Sequence, residues 1–339
     1  MPKKITIKDI AKAANVSVTT VSFVLNHKGE EKGISKKVIE KVLNVSKEMK
    51  FQPNMMASSL RTGKTRSIGL IVEDISNQFF ADLAKIIERE AIDLNYRVFY
   101  CSTGGNDERA IELVNSLLQA NVDGFIITPT EKMKTTIDRL LELKCPVVLV
   151  DRYFENQEAS HVVLDNFEGA ETATYYLLKR GFKNIAFITN SSQLIQMNLR
   201  KQGYMHALRE VGMFDDSRIL DLEFQYTEEE RIENIFQFLS DNPKIDAVLF
   251  AANYLLLAGL QSLKKLGQKI PLDKAIISFD DHDSFRLHAP SITVLSQPIE
   301  EIGRKSVRLL MDQMNGGTAT DYKVIKEKKK GNLIIRESV

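Results

Sequence analysis

Only two cysteines occur in 339 residues, and Cys101 and Cys145 both fall in apolar, strand-like runs. They offer no metal-ligand spacing and no disulfide framework, so buried free thiols in a reducing cytoplasm are expected, with no metal and no cofactor. Long apolar runs are also missing: no uncharged stretch approaches the ~18 residues needed to span a bilayer. The basic start, Met1 to Lys4, is not followed by the apolar segment of a secretory signal. After the first strand-like run of the larger part of the chain stands Val72-Glu73-Asp74-Ile75-Ser76-Asn77, without the glycines of a dinucleotide or nucleotide-phosphate loop, which argues against a Rossmann dehydrogenase.

Net charge is nearly absent too, at +1, but this hides a polarity. Residues 1–66 carry 14 Lys and Arg against 5 Asp and Glu, a net of +9, which leaves −8 on the remainder. A basic head on an acidic body suits a phosphate-binding module joined to a different kind of domain. With 43% hydrophobic and 27% charged residues the chain is globular, and its length calls for two or three units.

The head reads as three short helices. Thr6 can cap the first, with Asp9 three residues on as in a capping box, and Ile7, Ile10, Ala11 and Ala14 then share a face. Asn15 tolerates the left-handed conformation that ends a helix, and Ser17 can cap the next. In that second helix Val21, Val24 and Leu25 point one way and Val18, Thr19, Ser22 and Phe23 the other. A third helix runs from Ser35, with Val38, Val42, Val45 and Met49 on one face. A tight turn between the first two helices describes a helix-turn-helix, whose second helix enters the major groove of DNA. Residues 53–63 then read as a two-turn helix or, equally, as a linker. A helix that short orders only when something packs against it.

From Ser67 onward β-rich runs alternate with amphipathic helical segments. Ile68–Val72, Arg97–Cys101, Gly124–Thr128 and Val147–Val150 form a first set of strands, and Asn184–Thr189, Ala247–Phe250 and Ala275–Phe279 a second. The alternation implies right-handed βαβ units and two doubly wound lobes with mostly parallel sheets. Ligands bind beyond the carboxyl ends of such strands, so Asp74, Asn77, Asp151, Arg152, Asn253, Asp280 and Asp281 are candidates for a cleft.

The runs Thr6-Ile7-Lys8-Asp9-Ile10-Ala11-Lys12-Ala13-Ala14-Asn15-Val16-Ser17, Thr20-Val21-Ser22 and Leu25-Asn26, followed by Phe51-Gln52-Pro53-Asn54 and Ala57-Ser58-Ser59-Leu60, resemble the head and hinge of the LacI/GalR family of bacterial repressors. The resemblance extends over essentially the whole chain. It implies an α plus α/β architecture: a helix-turn-helix head (1–52), a hinge helix and linker (53–66), and two lobes of the periplasmic-binding-protein type. The N-terminal lobe would take 67–164 with 297–324, and the C-terminal lobe 165–296 with 325–339.

It further implies a homodimer on a double-stranded, near-palindromic DNA operator. The DNA contacts would come from Thr6, Ser17, Val18, Thr19, Thr20, Ser22, Phe23, Asn26, Asn54, Ala57, Leu60 and Arg61, with base reading on Val18, Thr19 and Phe23 and a minor-groove wedge at Leu60. Phe23 departs from the hydrogen-bonding residue usual there. An aromatic can touch a thymine methyl but makes no bidentate contact to guanine, and packing in the head's own core is the alternative for it.

For the effector, the resemblance implies Asn77, Phe79, Phe80, Asp151, Arg200, Phe224, Asn253 and Asp280, with Tyr226 as an equal candidate for the aromatic at Phe224. Tyr254 stands where many members carry Asp. Carboxylates with Arg, Asn and an aromatic suit a sugar-like polyol, and a planar purine would use the same residue types. Asp281 and Asp283 are read as structural, and Arg152 is equally an ion-pair partner. Asp280-Asp281-His282-Asp283 lacks a matching ligand group or nucleophile, which argues against an enzyme; the basic head and missing signal argue against a periplasmic receptor. Control by a phosphorylated partner protein stays open.

Overall fold

The computed structural model describes residues 5–26, 28–51, 63–315 and 323–339. Met1–Thr65 and Arg66–Val339 form two separate compact units. The expected hinge segment, with Asn54, Ala57, Leu60 and Arg61, lies outside the described residues.

The head holds α1 (Ile7–Ala14), α2 (Val18–Leu25) and α3 (Lys36–Glu48). Thr6 and Asp9 close a reciprocal capping box at the start of α1, and Asn15 ends the helix in the left-handed region at φ 52°. The Ser17 side chain accepts from the Thr20 amide at 3.0 Å and so fixes the start of α2. Ile10, Ala11, Ala14, Val21, Val24 and Val42 form one small core, against which Val38, Val45 and Met49 pack. The spacing of apolar residues thus brings the three helices together. Val18 and Thr19 are left exposed.

In the larger unit one sheet has the order β11-β5-β4-β3-β1-β2, where β1 is Ser67–Val72, β2 Arg97–Ser102, β3 Gly124–Ile127, β4 Val147–Val150, β5 Ser160–Leu164 and β11 Lys326–Lys329. All its pairings are parallel. The helices α4 (Gln78–Asp93), α5 (Asp107–Gln119), α6 (Lys134–Glu142) and α12 (Ile299–Asn315) cover it. Alternation along β1 divides the packing: Ile68, Leu70 and Val72 join the core with α4 and α12, while Ile71 joins the core with α5 and α6.

The second sheet, β12-β10-β9-β8-β6-β7, repeats this order. Its strands are β6 (Ile185–Ser191), β7 (Ile219–Glu223), β8 (Ala247–Phe250), β9 (Ala275–Phe279), β10 (Thr293–Ser296) and β12 (Asn332–Ile334). They are parallel except for the β10–β12 pair. Its helices are α7 (Asn166–Lys179), α8 (Ile195–Glu210), α9 (Glu228–Asp241), α10 (Asn253–Lys265) and the short α11 (Asp283–Leu287).

One expectation needs correction. Residues 325–329 do not belong with the C-terminal lobe, because β11 pairs along β5 from Lys326↔His161 to Lys329↔Leu164 in the first sheet. The chain returns to the second sheet only at β12. Cys101 and Cys145 are free but half-buried rather than fully enclosed. Burial pushes the Cys145 thiol up to about 11, so it is protonated at neutral pH.

Candidate functional site

The two sheets are arranged alike, so β4 in the first corresponds to β9 in the second. Asp151 directly follows β4 and Asp280 directly follows β9. Both carry positive φ, 66° and 64°, a region that few residues without a glycine's freedom adopt but that Asp tolerates. The equivalent turns project one carboxylate from each lobe into the same small cavity, of about 40 Å³.

That cavity is also lined by Asn77, Phe79, Phe80, Arg200, Phe224 and Asn253, so all eight effector candidates converge on it. Asn77 caps α4 by accepting from the Phe79 amide at 3.1 Å, and its side chain exchanges hydrogen bonds with Asn253 of the other lobe at 3.0 and 3.3 Å. Phe79 and Phe80 meet edge to face and are anchored in the first-lobe core. Phe224, not Tyr226, lines the cleft; Tyr226 packs on the second-lobe core.

Arg200 is held from several sides. Gly203, one turn further along α8, lets that helix approach α7 so closely that a Cβ there would lie 2.2 Å from the Phe167 carbonyl oxygen. At this distance Arg200 Nε donates to Asn166 Oδ1 (2.7 Å) and Nη1 to the Ala251 carbonyl (2.5 Å), with the guanidinium 4.2 Å from the Phe279 ring centroid. Burial pulls its pKa down, opposed by Asp280 and Asp151. Burial likewise pushes the Asp280 carboxyl up, against Arg200 and a 2.7 Å hydrogen bond from Gln297 Nε2, while Asp151 adds to the rise.

Several residues at this site escaped the sequence reading. Glu73 accepts from Arg152 Nη2 at 2.6 Å, and Arg152 Nε reaches Asp151 at 2.8 Å. Burial disfavours the Arg152 charge, but the two carboxylates outweigh it and its pKa rises. Asn190, at the end of β6, and Gln196, in the first turn of α8, also line the cavity, and Asn190 Oδ1 and Gln196 Oε1 are buried without a hydrogen-bond partner. Because Asn190 stands at a strand end, the rule that selected Asp151 also covers it. Tyr254 lines the cavity, its hydroxyl accepting from Asn190 Nδ2 at 2.6 Å, and Arg231 lies 5.2 Å over its ring.

Asp281 is structural. It takes both Nη atoms of Arg336, at 2.9 and 2.7 Å, and Nε of Arg286 at 3.0 Å, tying the C-terminal segment to α11. Burial pushes its carboxyl up, but the two guanidinium groups outweigh this and hold it below the usual carboxylate range. A carboxyl depressed in the folded state contributes stability above its unfolded pKa of about 4, and that contribution is lost as pH falls through the lowered value. Asp281→Asn should therefore cost on the order of 1–2 kcal/mol at pH 7 in urea titrations, since Arg286 is solvent-exposed and screened, and should flatten the acid limb of the stability curve. An unchanged midpoint at pH 7 would show the pair to be dispensable. Among the described residues no group of His, Cys, Asp and Glu is placed to hold a metal ion, and no helix is long and apolar enough to cross a membrane.

On the head, Thr6 and Ser17 spend their side chains on caps, and Ser17 Oγ also lies 2.8 Å from Thr20 Oγ1. Asn26 donates to the Ser22 carbonyl at 2.6 Å. Phe23 is half-exposed and stands outside the head's core, with Lys32 Nζ 5.7 Å over its ring. The core-packing alternative for Phe23 therefore fails. With Val18 and Thr19 it forms an apolar and hydroxyl-bearing edge on the basic head.

A helix-turn-helix head and a two-lobed α/β body with a polar interlobe cleft define a ligand-responsive DNA-binding regulator. Residues 6–54 match the bacterial regulatory proteins of the lacI family, and residues 65–330 match the periplasmic binding proteins and sugar binding domain of the LacI family. The chain belongs to the LacI family. It is 33% identical to the HTH-type transcriptional regulator DegA of Bacillus subtilis, over 95% of each chain. It is 32% identical to the ribose operon repressor of Halalkalibacterium halodurans, over 98% of this chain and 96% of that one. Among solved structures, the transcriptional regulator CelR in complex with cellobiose superposes with a TM-score of 0.72 at 26% identity, covering 99% of this chain and 100% of that one. The chain is a transcriptional regulator and not an enzyme.

Proposed function

We propose that the chain is a cytoplasmic repressor that binds a near-palindromic operator as a homodimer and is controlled by a sugar-like effector between its lobes. Val18, Thr19 and Phe23 read base edges, phosphates are met by the basic surface of the head, and Leu60 enters the minor groove at the operator centre. The effector is held by Asp151, Arg200, Asn253 and Asp280, with Asn77, Phe79, Phe80 and Phe224 completing the wall.

The observation that carries this reading is the convergence of Asp151, Asp280 and Arg200 with two unpartnered amide oxygens in one buried cavity. Such a wall costs free energy unless a ligand supplies donors to it, and hydroxyls do so. The cellobiose bound by CelR and the ribose operon named for another relative support a sugar. The dimer is supported by the edge strand β2, which leaves Phe99 and Tyr100 49% and 40% exposed.

The test has two parts. Genomic fragments retained by the full-length protein should share an inverted repeat, and a sugar that raises the melting temperature should change its affinity for those fragments. A stabilising sugar that leaves the DNA titration unmoved would separate binding from control and refute the reading.

A further inference from the structure

Two spaces of very different size meet at the cleft. The inner cavity of about 40 Å³ holds little more than one water, whose share of the liquid is about 30 Å³. Beside it opens an outer chamber of about 710 Å³, a size usual for small-molecule sites. Phe224 and Tyr254 line both, and the outer chamber adds Arg231 and His282. Both walls carry charge, from Glu73, Asp151, Arg152, Arg200 and Asp280 inside and from Glu73, Asp74 and Arg231 outside, but only the outer chamber has the room for a ring.

The inner wall also has a definite chemical bias. Arg152 is engaged by Glu73 and Asp151, and Arg200 donates to Asn166 and to the Ala251 carbonyl. Asn190 and Gln196, 6% and 5% exposed, each present an amide oxygen that accepts nothing. A small hydrogen-bond donor is what Asn190 and Gln196 lack, and an anion there would face their two amide oxygens with Asp151 and Asp280, while Arg152 and Arg200 are already engaged by protein acceptors. Tyr254 lines both spaces together with Glu73, Asn77, Phe224 and Asn253, which form the collar between them, and it is fixed by Asn190 at its hydroxyl and by Arg231 over its ring.

We propose that the effector is a ring-shaped polyol lying in the outer chamber against Phe224 and Tyr254, with one slender hydroxyl-bearing arm passing Tyr254 into the inner cavity, where it meets Asp151, Arg200 and Asp280 and donates a hydrogen bond to the amide oxygens of Asn190 and Gln196. This rests on the sugar-like effector proposed above and adds its orientation and its selectivity. Tyr254 then determines specificity, by admitting a hydroxymethyl arm and refusing a phosphorylated one.

Pairs of sugars that differ only in the arm test this: D-glucose with D-xylose, D-galactose with L-arabinose, and D-mannose with D-lyxose, together with the three hexose 6-phosphates. Binding is measured by calorimetry on the full-length protein. In the pair that binds, the hexose should bind roughly tenfold or more tightly than the pentose, because a site built around a hydroxyl rejects the analogue lacking it, and its 6-phosphate should not bind. Tyr254→Ala should reduce the preference to below about threefold and admit the 6-phosphate, since its part of the collar is gone, while Tyr254→Phe keeps the ring and the preference. Should Tyr254→Ala melt below the assay temperature, Tyr254→Leu carries the same expectation. Equal binding of a pentose and its hexose, or tighter binding of a 6-phosphate by the wild type, overturns the arm while leaving a sugar effector standing. Binding by no sugar of the set overturns the arm, and a set widened to ribose and cellobiose that also fails to bind overturns the effector class.

Discussion

Residues 67–339, prepared without the head, will show no retention on operator DNA at physiological salt, whereas residues 1–66 will bind DNA weakly and with a steep salt dependence. The asymmetry of charge sets both expectations: +9 lies on the first 66 residues and −8 on the rest. Each phosphate neutralised releases condensed counterions, so a head making about five phosphate contacts should show a logarithmic salt slope near −4 to −5. The acidic body has no such term and is repelled by the same field. The head is a sound object for this experiment, since it has its own capped helices and its own core around Ile10, Val21, Val24 and Val42. Its affinity should stay far below that of the full chain, because one head meets one half-site without the avidity of a dimer. Filter-binding or fluorescence titrations from 50 to 200 mM salt measure all of this. Retention of residues 67–339 at the higher salt would mean that the body contacts DNA and that the charge division has been misread.

Where local chemistry decides the structure, the sequence was legible. The Thr6–Asp9 box, the left-handed Asn15 and the Ser17 cap are interactions within a few residues, and each is formed. The central strands were legible because burial on both faces demands continuous apolar runs such as 147–150 and 247–250. The edge strand β2 was legible as well, but β5, β7, β10, β11 and β12 were not. Lys326–Lys329 is a row of charges with no apolar signal, and it becomes β11 only because the open edge of β5 offers it a partner. Ile219–Glu223, on the edge of the second sheet, is interrupted by an aspartate that pairs with Lys201 at 2.6 Å.

The same distinction applies to the cleft. Asp151 and Asp280 were found because they end apolar strands, and the repeated sheet order shows why both do so at equivalent places. Gln196 was missed because nothing local distinguishes it, whereas Glu73 directly follows β1 and was passed over at a strand end in favour of Asp74. Glu73 matters through Arg152, 79 positions away, and Gln196 through an empty hydrogen-bond valence that only the packed cleft reveals. Phe23 shows the converse. Its size alone would suggest a core residue, but the helical period places it opposite Val21 and Val24, and there it stays, half-exposed under Lys32.

Replacing Arg200 or Asp280 should leave operator binding intact and make it indifferent to effector. Arg200→Ala removes a guanidinium that faces Asp280 and Asp151 electrostatically and whose charge-assisted hydrogen bonds are worth roughly 1.5–3 kcal/mol each, so effector affinity should fall at least about tenfold. It also strips Asn166 Oδ1 and the Ala251 carbonyl of their donor, so a lower melting temperature of the body is expected alongside. Asp280→Asn is the cleaner variant. The amide keeps its shape and an acceptor for Gln297, while the carboxylate that receives ligand hydroxyls is lost. A ligand shifts a two-state equilibrium only through its differential affinity, so a variant blind to it stays in whichever state the free protein prefers. Repression then becomes permanent if the effector is an inducer, and operator binding stays weak if it is a corepressor. DNA titrations of wild type and both variants, with and without a sugar that stabilises the wild type, give the answer. A wild-type effector response in both variants would remove these residues from the site. Loss of DNA binding together with folded-state stability in Asp280→Asn would make Asp280 a structural residue of the β9 turn, and would leave recognition to Asn77, Asp151 and Asn253.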